Sequence, residues 1–369
     1  MQDFLARLDT KAPELLERLR LPGVAVGLLA DFSVAAIRSY GYADLAAMAP
    51  VTVDTVFRVA SISKSVTAWG VMLLAERGLL ELDAPVESYL NRWHLPPSKF
   101  NHEHITPRRI LSHIAGLSAG GCDAFGPGDP LPTHEECLSG LRPAPLDPLQ
   151  LKYFRDVGLD PDRQQQGLTV VDQPGARFNY SNSGYSLLQL MIEEITGSAF
   201  ADFMQEEVLR PLGMHRSTFH NVADRRAGFA TPYDQDGSQA PYYRYVLKSA
   251  GGLSCPIADL VTFTSAGMKG PAGEPPGRGL LSPVAVAQMH TAPIYAETEM
   301  GFDFFAGLGH FTTRSGGLNV VQHSGGFIGW RSIMTFMPAV GAGFVALINS
   351  SGGNPLWQEL IVDWGASLQ

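Results

Sequence analysis

The chain has 369 residues, 45% hydrophobic and only 17% charged, the balance of a compact globular protein and not of a disordered or fibrous one. Its formal charge of −9, with no run of like charge, argues against a nucleic-acid partner, which needs a basic face. Three cysteines, Cys122, Cys137 and Cys255, are too few and scattered for a disulfide framework and lack zinc-ligand spacing, so a reducing compartment is expected, with one bridge left open.

The first 20 residues carry Phe4, Leu5, Leu8, Leu15, Leu16 and Leu19 at helical spacing and read as an amphipathic helix. Charges run through this segment, unlike a secretory signal, and the apolar run GVAVGLLA (23–30) is too short to cross a bilayer. A cytoplasmic protein with no membrane partner is expected. GVAVGLLA and VAAIRSYGYAD (34–44), separated by DFS, read as a hairpin. FRVASISKSVTAWGVMLLAERG (57–78) reads as a helix apolar on nearly every side, hence buried, and stopped by Gly78 in a left-handed cap.

From about 84 to 245 the signals are mostly helical, with Pro- and Gly-rich connections. Residues 106–116 form a short predicted helix with Pro107 in its first turn and Gly116 past its end. Residues 183–197 form a second, and 198–213 a third, stopped by Pro211 and Gly213. Residues 120–132 are a loop by composition. Strands return over 305–313, 319–325, 330–339 and 343–350, and the chain closes on an amphipathic helix over 355–368. Strands at both ends around a helical middle predict an α+β fold, with one antiparallel sheet built from both termini and flanked by helices. Residues 1–83 and 246–369 would form that α/β unit, and 84–245 a mostly helical insertion.

Three stretches carry candidate chemistry. In the first, Ser61 and Lys64 stand three apart, on one face of a helix and within reach of each other. A serine hydroxyl is a poor nucleophile until a base takes its proton, and burial turns a lysine into such a base by disfavouring its ammonium. The plain alternative is a capping serine beside a lysine that reaches outward. In the second, PGARFNYSNSGY (174–185), Tyr180 stands two residues before Asn182. A phenol can shuttle protons where cations stabilise its phenolate, and the alternative is a turn whose Asn or Ser caps the next helix. In the third, VVQHSGGFIGWRS (320–332), an apolar strand runs into His323, Ser324, Gly325 and Gly326. Small residues beside an ionisable ring suit an oxyanion hole, and equally a Gly-rich strand end.

Together and in this order, Ser61-x-x-Lys64, Tyr180-Ser181-Asn182 and His323-Ser324-Gly325 resemble the serine hydrolases related to class C β-lactamases, DD-peptidases and family VIII carboxylesterases. VTVDTVFRVASISK, GLLELDAPVESYL, RRILSHIAGLS and AGGLSCPIADLVTF also resemble family segments, so the likeness runs from about residue 22 to 350. The resemblance implies that fold, with the active site at the junction of the two units. Ser61 would be the acylated nucleophile, Lys64 its activator and Tyr180 a partner in proton transfer. Asn182 would hold Lys64 and a substrate oxygen, and the backbone N–H groups of Ser61 and Gly326 would form the oxyanion hole. His323 stands where β-lactamases usually carry a lysine that helps hold the lactam carboxylate; a histidine there resembles the DD-peptidase, D-aminopeptidase and esterase branches, and the expected absence of a secretory leader counts against a wall-facing DD-peptidase. Cleavage of a small ester therefore leads. A D-amino-acid peptidase or amidase, a weak β-lactamase or an acyltransferase are the alternatives, and an idle binding domain the rival from another class. The segment 146–171 is longer than the resemblance suggests and is expected to border the acyl pocket.

Several decoys are set aside. GLSAG (116–120) spells the nucleophile-elbow pattern around Ser118 but lacks the strand before and helix after that such an elbow requires. His102 and His104 flank Glu103, yet histidines two apart on a helix diverge and no third metal ligand is evident. GGFIGW (325–330) does not open a helix as a dinucleotide fingerprint would. Neither metal nor cofactor is expected, and the partner is a small ester or amide.

Overall fold

The computed structural model describes residues 2–120, 124–143, 145–221, 228–299 and 302–368. Its main sheet takes β1 (Gly23–Ala30), β2 (Ser33–Asp44) and β3 (Ala49–Pro50) from the N-terminal part. A short pair, β4 (Val56–Arg58) and β5 (Ser254–Pro256), stands apart from it. The C-terminal part supplies β6 (Ile294–Glu299), β7 (Phe302–Ala306), β8 (Phe311–Ser315), β9 (Leu318–Phe327), β10 (Trp330–Met337) and β11 (Ala342–Ile348). The order is β3-β2-β1-β11-β10-β9-β8-β7-β6, and every neighbouring pair is antiparallel. The expected α+β architecture, with one sheet drawn from both ends of the chain, is the one observed.

The sequence of β1 explains its central place. Successive side chains of a strand point to opposite faces. Ala25 and Leu29 enter the core beneath the helices Ser63–Glu76, Asn182–Thr196 and Ile257–Ala266. Val24, Val26 and Leu28 enter a second core beneath the terminal helices Gln2–Leu19 and Asn354–Ala366. A strand covered on both faces must be apolar throughout, as GVAVGLLA is. The terminal helices pack through Phe4, Leu8, Leu15, Leu356 and Trp364, and Lys11 pairs with Asp363 at 2.7 Å.

Several elements differ from expectation. The stretch 57–78 is not one helix: it begins in β4, passes through a 3₁₀ turn at Ala60–Ile62, and becomes α-helical only over Ser63–Glu76. The helix expected over 106–116 is confined to Pro107–Leu111, because His113 turns to a left-handed φ of 58°. The 198–213 helix is α-helical over Phe200–Met204 and widens to a π turn over Gln205–Leu209. The strand expected over 305–313 is split between β7 and β8, with Gly309 at a φ of 78° in the turn between them. Cys255 is a free, buried thiol, whereas Cys137 is disulfide-bonded. That bond is the single bridge the cysteine count leaves open; Cys122 lies outside the described residues. No helix among the described residues is long and apolar enough to cross a membrane.

Candidate active site

Ser61 stands in the middle of the 3₁₀ turn, after Ala60 at a left-handed φ of 45°. An alanine pays a steric penalty there, so surrounding contacts must hold the turn. They are visible on both sides. The Val59 N–H donates to the Leu253 carbonyl, and the Ser332 hydroxyl on β10 donates to the Val59 carbonyl at 2.8 Å. The Ser63 hydroxyl accepts the Leu253 N–H at 2.9 Å.

The buried polar face of the following helix is fully accounted for, as buried polar groups require. Ser65 donates to the Gly309 carbonyl at 2.6 Å and Thr67 to the Ser249 carbonyl at 3.0 Å. Lys64 has no solvent exposure. Its Nζ lies 3.2 Å from Ser61 Oγ and donates to the Ala250 carbonyl at 2.7 Å. The same nitrogen sits 4.9 Å from the centre of the Tyr180 ring. Of the two readings of Ser61 and Lys64, the outward-reaching lysine is thereby excluded.

Tyr180 precedes the helix Asn182–Thr196, whose N-cap is Ser181. The Ser181 hydroxyl accepts the Gly184 N–H at 2.9 Å, the usual capping bond. Asn182 therefore opens the helix and lines the cleft at Ser61.

On the opposite wall, β8 pairs with β9 only as far as Phe311 opposite Gln322. The edge of β9 from His323 to Phe327 has no strand partner on that side among the described residues, and it faces the Ser61 turn. Gly325 makes the approach possible: a Cβ built there would lie 2.1 Å from the Val59 carbonyl oxygen and 3.1 Å from the Ser61 nitrogen. His323 is buried, and its Nδ1 lies 2.7 Å from the Ser324 carbonyl, which assigns the proton to Nδ1. Burial, with the Lys64 charge nearby, pushes its pKa down to about 3, so the ring is neutral at physiological pH.

Two clefts, of about 530 and 910 Å³, meet at Ser61, Tyr153 and Gly326. Tyr153, Phe154, Leu159 and Gln164 of the long 146–171 segment line the smaller one together with Tyr245 and Leu247. Tyr180, His323 and Gly325 line the larger. Ser61, Tyr180, Asn182, His323, Gly325 and Gly326 thus line the two clefts, and the buried Lys64 reaches them through Ser61.

The decoys fall outside it. Ser118 Oγ accepts the Thr169 N–H at 3.1 Å, and its carbonyl accepts the hydroxyls of Ser181 and Ser183; it ties two loops together. His102 pairs with Ser98 in a 3₁₀ turn. The described residues contain no cluster of acidic, histidine or cysteine side chains able to hold a metal. The glycines of 325–330 belong to the β9–β10 hairpin.

Three contributors were not singled out beforehand. Ala250 acts through its carbonyl, and a backbone atom leaves no mark in residue type. Tyr153 could have been sought as an aromatic within the long segment. His113, inside SHIAGLS, is a buried histidine before a glycine, a pattern with no chemical meaning until its neighbours are known.

Residues 8–363 match the family described as Beta-lactamase. The chain belongs to that family of β-lactamase-fold serine hydrolases, which includes esterases, D-aminopeptidases and amidases. It is 27% identical over 338 residues to a D-aminopeptidase of Gluconobacter oxydans, covering 89% of this chain and 56% of that protein. It is 28% identical over 262 residues to the esterase EstB of Burkholderia gladioli, covering 69% and 59%. It thus spans little more than half the length of either relative. The solved D-amino acid amidase of Ochrobactrum anthropi SV3 superposes with a TM-score of 0.75 over all of both chains at 22% identity, a likeness of fold.

Proposed function

We propose that the protein is a carboxylesterase that cleaves small esters through an acyl-enzyme on Ser61. The observation that carries this reading is the 3.2 Å approach of Lys64 Nζ to Ser61 Oγ where the two clefts meet. That distance is within the reach a base needs to take the hydroxyl proton. With Lys64 as the free amine, Oγ bonds to the ester carbonyl carbon while its proton passes to the Lys64 nitrogen and, with Tyr180, onward to the leaving oxygen. The carbonyl electron pair collects as an oxyanion, held by the backbone N–H groups of Ser61 and Gly326. Collapse breaks the carbon–oxygen bond and releases the alcohol. Water then attacks the acyl group, the same residues return a proton to Ser61 Oγ, and the acid leaves. Asn182 orients the substrate from the mouth of the cleft.

The preference for esters rests on two features. His323 is neutral, so β9 offers no ammonium to a lactam carboxylate. The smaller cleft is walled by Tyr153, Phe154, Leu159, Tyr245 and Leu247, which suits an apolar acyl group. Amide cleavage is the second reading, favoured by the D-aminopeptidase that aligns over 89% of the chain. The division into 1–83 with 246–369 and 84–245 belongs to the same proposal. Ser61, Lys64 and His323 come from the first unit, Tyr180, Asn182 and Tyr153 from the second.

The test is hydrolysis of short-chain p-nitrophenyl esters by wild type beside Ser61→Ala, with nitrocefin and a D-alanyl amide in parallel. Ester turnover lost in Ser61→Ala supports the proposal. Cleavage of the amide or nitrocefin alone moves the substrate class, and no cleavage of any refutes the esterase reading.

A further inference from the structure

His113 is buried and held in a left-handed conformation, with φ at 58°. A residue with a bulky side chain adopts that conformation at a cost, and such outliers persist where the surroundings demand them. Here the demand is local to the site. The imidazole lies nearly flat on the Tyr180 ring, with centroids 4.3 Å apart and planes 28° from parallel. Its Nδ1 accepts the Ser181 N–H at 3.1 Å, and its carbonyl accepts the Asn179 N–H at 2.7 Å. One residue therefore grips the chain on both sides of Tyr180 and covers one face of the phenol. Lys64 lies toward the same phenol ring, 4.9 Å from its centre.

The tautomer follows from the hydrogen bond. An acceptor at Nδ1 must carry its proton at Nε2. The charged and titratable groups around the ring are Lys64, Tyr180, Tyr185 and His323. Burial, then the Lys64 charge, then His323 hold the pKa of His113 well below its usual value. The ring thus stays neutral through the working range and keeps its Nδ1 lone pair for Ser181. Neither a phenylalanine, which lacks the acceptor, nor an asparagine, which lacks the flat ring, reproduces both contacts.

We propose that His113 is the positioning residue for Tyr180, fixing the phenol by stacking and the Tyr180–Asn182 turn through the Ser181 N–H. This rests on Tyr180 being a proton-transfer group, as proposed above. It touches no substrate and moves no proton; it keeps the phenol registered on Lys64. A shift of about 1 Å in such a group is enough to cost on the order of 100-fold in rate.

The experiment measures kcat, KM and the pH dependence of kcat for His113→Phe, His113→Asn, Tyr180→Phe and the double variant His113→Phe/Tyr180→Phe, with thermal unfolding of each. Asparagine tolerates the left-handed backbone, so it guards against failure to fold. The expected result for both His113 variants is a kcat lowered by roughly 10- to 100-fold, an unchanged KM and a displaced pH profile. The double variant should be no slower than Tyr180→Phe, because a positioning residue has nothing left to position. Wild-type kcat and pH profile in folded His113→Phe and His113→Asn would overturn the inference, as would a further loss of the same size in the double variant. Wild-type turnover in Tyr180→Phe would instead refute the relay on which the inference rests, so the two failures are separable.

Discussion

Gly325→Ala tests how closely the chemistry depends on the approach of β9 to the Ser61 turn. The added methyl would meet the Val59 carbonyl oxygen at 2.1 Å, Ser332 Oγ at 2.4 Å and the Ser61 nitrogen at 3.1 Å. Ordinary contact begins at 3.4 Å, so strand and turn must separate by more than about 1 Å. The obstructing oxygen is backbone and already accepts the Ser332 hydroxyl, which leaves it little room to yield. The displaced partners are the two chain segments that carry the Ser61 and Gly326 N–H groups. A misplacement of about 1 Å among reacting groups costs on the order of 100-fold in rate, while overpacking of this kind costs about 1–3 kcal/mol of stability. Steady-state kcat on a p-nitrophenyl ester, with urea unfolding of the same preparation, separates the two effects. The expected outcome is a folded, somewhat weakened protein whose kcat has fallen by about two orders of magnitude. A folded variant with wild-type kcat would refute the claim that this strand edge and the Ser61 turn form one site.

Other consequences are checked more briefly. Lys64→Ala and Tyr180→Phe should each lose most turnover while remaining folded, measured by kcat beside circular dichroism. Tyr153 donates its hydroxyl to the Gly326 carbonyl at 3.1 Å and lines both clefts; Tyr153→Ala should therefore shift the acyl-chain preference toward longer esters, and an unchanged profile would remove it from substrate selection. Ser118→Ala should keep wild-type kcat and lose about 1 kcal/mol in urea unfolding, from the lost bond to the Thr169 N–H. Stability should fall in acid. His113 and His290 are held well below the usual histidine pKa by burial, His310 at about 4 and His323 at about 3. The unfolded chain takes up these protons below about pH 6.5, so the contribution is complete above that pH and is lost as pH falls toward those folded-state values. Each histidine held neutral costs about 1.4 kcal/mol per pH unit in that window, and urea midpoints that do not change between about pH 7 and pH 5 would contradict it.

The terminal helices and the β1–β2 hairpin were legible because each buries a stripe or face whose spacing is written in the residues. The three motifs were legible because Ser61, Lys64, Tyr180, Asn182 and His323 are uncommon types in apolar surroundings, and their order resembles a family. The start of the Ser61 helix was not. Residues 57–62 run without a turn signal into the apolar helix that follows, but β5, Leu253 and Ser332 pull them into a strand and a strained turn, and those partners lie about 190 and 270 residues away. The split between β7 and β8 was missed for a related reason: an apolar run carrying two glycines reads as one strand until pairing shows where it turns. The Lys64 partner was illegible because it is the carbonyl of Ala250, and the part of His113 because stacking and hydrogen bonding exist only once 113 and 180 are brought together.

The central claim is that Ser61 carries the acyl group during turnover. It is tested most directly by acid-quenching the enzyme during steady-state hydrolysis of a p-nitrophenyl ester, digesting it, and locating the acyl mass by tandem mass spectrometry. The account predicts one acyl group per chain at most, on the peptide containing Ser61, absent from Ser61→Ala and accumulating when deacylation is slowed. An acyl group on the Ser118 peptide, or continued turnover by Ser61→Ala, would contradict it.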